Sequence, residues 1–103
     1  MPTIQDALYY LGIDEADEMV TANVQRSLAT ATKRLHGAIG PEVMEYLPGD
    51  ARVSELVLIY TREAYDADSL TDKARAALNH LKADLEPQLR LELQDAKEKA
   101  GVI

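Results

Sequence analysis

The sequence predicts an all-α domain, a small bundle of about four helices. Three observations predict it. Apolar residues recur at spacings of three and four over most of the chain. Capping residues stand ahead of the apolar stretches, and Gly or Pro stands behind them. The length of 103 residues suits one domain, and 47% hydrophobic residues are enough to build a core.

The first helix is predicted from Ile4 to Leu11. Thr3 is its N-cap, with Asp6 three residues on, and Gly12 is its stop. Ile4, Leu8 and Leu11 share its inner face. The second and longest helix is predicted from Glu15 or Ala16 to Ala38, with Asp14 as N-cap and Asp17 and Glu18 in the first turn. Val20, Val24, Leu28, Ala31, Leu35 and Ala38 form its stripe, and Arg26 and Lys33 fall on the opposite side. Gly37, Gly40 and Pro41 end it.

Residues 40–50 are expected to form a loop, bounded by Gly40-Pro41 and Pro48-Gly49. Val43, Met44, Tyr46 and Leu47 make it unusually apolar. It either folds over one end of the core or presents a contact to another chain. The third helix is predicted from Ala51 to about Asp66 behind Asp50, with a stripe of Val53, Val57, Tyr60 and Ala64. Leu58 and Ile59 lie off that stripe. Ile59 sits among Glu55, Arg62 and Asp66, on the side expected to face water. The fourth helix is predicted from about Thr71 to Leu85, capped by Ser69 or Thr71, with a stripe of Leu70, Ala74, Ala77, Leu78, Leu81 and Leu85. Pro87 is expected to end or kink it.

Residues 88–93 alternate as Leu89-Arg90-Leu91-Glu92-Leu93, like a strand. Leu85, Leu89, Leu93 and Ala96 also keep a helical period. The expectation is a short C-terminal arm, with 1–93 as the domain and 94–103 as a charged tail. The expected buried set includes Leu8, Val24, Leu28, Leu35, Val57, Tyr60, Leu78 and Leu81.

Composition excludes several functions. With no cysteine there is no disulfide framework and no thiolate metal site. A net charge of −7 and the absence of Trp and Phe argue against a nucleic-acid binder, which needs a basic face and stacking aromatics. No apolar run approaches a membrane span. Met1-Pro2-Thr3-Ile4 lacks the basic start and apolar stretch of a secretion signal, so the expected location is cytosolic. The charge is uneven: residues 1–20 carry five acids and no base, and residues 21–39 carry three bases and no acid.

His36 and His80 have no metal-site spacing, and no catalytic or phosphate-binding motif is present. Carboxylate pairs such as Asp17-Glu18 read as helix-start electrostatics. Asp68-Ser69-Leu70 matches the tripeptide that carries the phosphopantetheine arm in acyl carrier proteins. Its setting differs from that family, because Ser69 follows an apolar helix through Tyr65-Asp66-Ala67. Turn and cap chemistry accounts for it more simply.

The order of features resembles the head–tail connector (adaptor) proteins of tailed bacteriophages. The pieces are Leu11-Gly12-Ile13-Asp14, the acidic start Glu15 to Glu18, and Gly37-Ala38-Ile39-Gly40. After them come Asp50-Ala51-Arg52 leading through Tyr60, then Tyr65-Asp66, and finally Gln88-Leu89-Arg90-Leu91. The resemblance spans residues 3–93. It implies a non-enzymatic structural protein of the virion neck, made in the host cytoplasm, with no cofactor and no catalytic residue. Its implied partners are its own copies in a ring, usually twelvefold, the portal protein, and a downstream stopper or tail-completion protein. DNA would pass through the channel without specific binding. The alternatives are a generic helical interaction or regulatory protein and, more weakly, an acyl-carrier-like protein modified at Ser69. The expected contacts are Asp14, Asp17 and Glu18 against Arg26 and Lys33, with Leu58, Ile59 and the loop residues Val43, Met44, Tyr46 and Leu47 as apolar surface.

Overall fold

The computed structural model describes residues 1–101. Among them, four helices of seven residues or more and one single-turn helix make the fold, with no strand. They are α1 (Ile4–Tyr10), α2 (Glu18–Ala38), α3 (Val43–Tyr46), α4 (Ala51–Tyr65) and α5 (Asp72–Lys99).

Helix α1 starts on a capping box. Thr3 N–H donates to Asp6 Oδ2 at 2.9 Å, and Asp6 N–H donates to Thr3 Oγ1 at 3.1 Å. It ends at Gly12, whose φ of 74° lies in the region that favours glycine. Helix α2 starts later than its charge pattern suggests. Its N-cap is Asp17, whose Oδ1 accepts from Val20 N–H at 2.8 Å, so Asp14 caps nothing. Asp17 wins because it stands three residues before Val20, the first apolar residue of the stripe, where a cap reaches the free N–H groups. Asp50 caps α4 and Thr71, not Ser69, caps α5.

Helix α4 is the axis of the fold. It packs most extensively against α2 and also meets α1 and α5. The start of α2 lies beside the end of α4, where Asn23, Ser27, Ala64 and Tyr65 line one depression, so the pair is antiparallel. Two apolar clusters result. The smaller joins Ala7, Leu8 and Val24 under α1. The larger joins Ala31, Leu35, Val43, Val53, Leu56, Val57, Ile59 and Tyr60 to Leu78, Leu85, Leu89 and Leu93 of α5.

Four expectations fail in this architecture. Residues 88–99 are not an arm and a tail: α5 runs unbroken from Asp72 to Lys99. Four leucines spaced seven, four and four apart hold it on the core. Pro87 is inside the helix and exposed. Ala83, whose carbonyl loses its partner, is exposed as well, so that carbonyl is not an unpaired group buried in the core. Leu81 is 39% exposed, because the buried stripe follows Leu78 and Leu85 rather than the Ala74–Ala77–Leu81 side. The loop expected over 40–50 contains α3, with Val43 fully buried. Leu28 is only half-buried, and apart from it and Leu81 the expected core is buried.

Polar clasps fix α5 along its length. Arg90 Nη1 donates to the Ala38 carbonyl at 3.1 Å, satisfying the end of α2. Arg52 bonds Asp50 Oδ2 at 2.9 Å and also pairs with Glu92. Lys82 pairs with Glu63 at 2.7 Å, and Tyr60 Oη donates to Glu86 at 2.7 Å. Burial, and then the Glu86 carboxylate, push the Tyr60 phenol well above its ordinary pKa, so it stays a donor.

Candidate assembly surfaces

No group of three or more His, Asp or Glu suited to a metal ion occurs among the described residues. His36 is half-buried on α2 and His80 is exposed on α5. Ser69 lies in the turn between α4 and α5, where its Oγ donates to the Asp66 carbonyl at 3.3 Å.

The outer face of α2 is basic and open. Arg26 and Lys33, seven residues apart, are exposed on the side away from the buried Val24, Ala31 and Leu35. Among the described residues neither has a carboxylate partner, and Arg26 bonds only Asn23 Oδ1, at 3.4 Å. Arg34 belongs elsewhere. It pairs with Glu63 at 2.9 Å and lies 4.4 Å from the Tyr60 ring centroid. Asp14, Glu15, Asp17 and Glu18 are all exposed. Asp17 is engaged as a cap, which leaves Asp14, Glu15 and Glu18 as the free acids of that segment.

The apolar contact candidates divide. Ile59 is 1% exposed and Val43 fully buried, so neither is a surface residue. The wheel placed Ile59 toward water because it counted only the stripe facing α2. With α5 lying against α4 as well, Ile59 joins the larger cluster. Met44, Tyr46 and Leu47 are half-buried against that same cluster, so the apolar loop covers one end of the core.

Leu58 remains partly open. With Pro2, Asp6, Tyr9, Tyr10 and Ser54 it lines a groove of about 550 Å³ between α1 and α4. Tyr9 is 89% exposed at this groove. Arg62 lies 5.3 Å from the Tyr10 ring centroid, and partial burial raises the Tyr10 pKa. Sequence reading missed the groove. The adjacent Tyr9-Tyr10 pair on a seven-residue helix was the available signal, since a helix that short cannot bury both rings.

Asp50 and Arg52 anchor α4 to α5. The Arg52 guanidinium beside it holds the Asp50 carboxyl below its ordinary pKa. A lowered folded-state pKa means this stabilisation is present above the unfolded value, near 4, and is lost as pH falls through the folded value. Asp50→Ala is therefore expected to cost about 0.5–2 kcal/mol at pH 7. The deficit relative to the parent should shrink as pH falls through the folded pKa, read by urea melts at several pH values. A pH-independent deficit would assign the loss to packing instead.

No family profile, curated protein or solved structure matches the chain. No helix among the described residues is long and apolar enough to cross a membrane.

Proposed function

We propose that this chain is a non-enzymatic assembly protein of the head–tail connector kind. It would form a ring beneath a portal, extend the DNA channel and carry the next neck or tail protein. One observation carries the reading: four of the sequence pieces that resemble connectors do structural jobs at junctions of one bundle. Gly12 turns the chain out of α1, and Gly40, at φ 151°, turns it out of α2. Asp50 and Arg52 open α4 and tie it to α5. Arg90 of Gln88-Leu89-Arg90-Leu91 closes the end of α2.

The surface chemistry supports the same role. The basic face of Arg26 and Lys33 is separate from the exposed acids of the chain, which suits head-to-tail contact between copies. A net negative wall lets DNA pass without adhering. The test is electron microscopy of the protein mixed with a phage portal protein. Rings seated on portals are the expected result. Exposed charge contacts are screened by salt, so ring yield should fall as ionic strength rises, and Arg26→Glu should lower it further. Absence of any portal-bound density would overturn the reading.

A further inference from the structure

We propose that the groove between α1 and α4 receives the outer face of α2 from a second copy of this chain. This rests on the assembly reading above and names the two surfaces that would meet. The groove is apolar along Pro2, Tyr9 and Leu58, and Asp6 is the charged residue in its lining. Asp6 accepts the Thr3 N–H through Oδ2. That bond keeps its carboxyl ionised below the ordinary range. The groove therefore asks for a ligand with an apolar knob and a cation beside it.

The outer face of α2 offers both. Met19 is 73% exposed, an unusual position for so large an apolar side chain at the start of a long helix. Arg26 follows seven residues later on the same face, about 10.5 Å along the axis. On α1, Asp6 and Tyr9 are three residues apart, about 4.5 Å along the axis, and the long Arg26 side chain covers the difference. Ala22 and Ala29 lie beside Arg26 on this face, exposed and small, so another helix can approach closely. Met19 is flexible enough to fill an irregular apolar slot against Tyr9 and Leu58, and the Arg26 guanidinium then reaches Asp6. Because groove and face are different surfaces of one molecule, the contact is heterologous, repeats from copy to copy, and closes into a ring when the rotation allows.

The chain has no cysteine, which makes the test clean. Tyr9→Cys and Met19→Cys are made in separate chains distinguishable by mass. They are mixed at equal concentration and gently oxidised. The expected product is the 9–19 heterodimer, well above its share in random pairing, since a disulfide forms only where the two Cα atoms come within about 7 Å. Arg26→Glu placed in the Met19→Cys chain should lower that yield roughly five- to tenfold by setting two acids against each other. Pairing in random proportions overturns the contact. Mass measurement of the parent chain separates this failure from that of the assembly reading. Oligomers with random crosslinks overturn these surfaces alone, whereas a monomer at every concentration, with random crosslinks, overturns both. Selective 9–19 dimers, together with open rather than closed oligomers of the parent chain, support the contact and count against the ring.

Discussion

Ile59→Lys is expected to unfold the domain outright. Ile59 is 1% exposed and packs in the larger cluster with Leu56, Tyr60 and the leucines of α5. The substitution forfeits about 1.5–3 kcal/mol of apolar burial. It also places an ammonium where the surrounding side chains are apolar, at a further cost of several kcal/mol. Domains of this size have about 5–15 kcal/mol of total stability. Far-UV circular dichroism at 25 °C should therefore show lost helicity, and a sizing column an expanded or aggregated chain. Ile59→Val, which removes one methylene, should cost only about 0.5–1.5 kcal/mol and leave a cooperative melt. A folded Ile59→Lys protein melting within a few degrees of the parent would return Ile59 to the surface.

That residue also shows where sequence reasoning stops. A helical wheel ranks the faces of one helix but does not count its neighbours. Glu55, Arg62 and Asp66 suggested a wet side for α4, yet α1, α2 and α5 surround most of it. The half-buried Arg62 and Asp66 reconcile the two by pairing at the edge, 3.6 Å apart, instead of extending into water. Helix α4 itself was legible because the Asp50 cap and a dense apolar run agree. At α2, two carboxylates competed for one cap, and composition could not rank Asp14 against Asp17. The position of Val20 settles it.

The candidate surfaces were legible to different degrees. Charge blocks are local properties of the sequence, so the acids at 14–18 and the cations Arg26 and Lys33 could be read directly, and all of them are exposed. The groove under Tyr9 could not be, because it exists only where α1 and α4 are set side by side. The apolar loop was half legible. Its hydrophobicity marked a contact, and the core of its own chain is what it touches.

Ending the chain after Glu86 is expected to abolish cooperative folding, although the same cut would be harmless if residues 88–103 were an arm. The alternation of Leu89, Leu91 and Leu93 favoured the arm. Leu91, however, is 69% exposed while Leu89 is fully buried and Leu93 nearly so, which is a helical pattern and not a strand's. Truncation removes both buried leucines, about 1.5–3 kcal/mol each. It uncovers Val43 and Leu56, which share their cluster. It strips the Ala38 carbonyl of Arg90, Arg52 of Glu92 and Glu42 of Lys97. Gly40, whose Cβ position would fall 2.6 Å from Leu93 Cδ2, loses the helix it packs against. These losses together rival the whole stability of a small domain. The expected result is a broad, non-cooperative melt and dye binding to exposed apolar surface at 25 °C. Cutting after Asp95 should be far milder, because all four core leucines of α5 remain and the side-chain pairs lost among the described residues are Lys97–Glu42, Lys99–Asp95 and Gln94–Glu98. A sharp melt from the chain ending at Glu86 would show that the second half of α5 is dispensable to the fold, and would restore the arm.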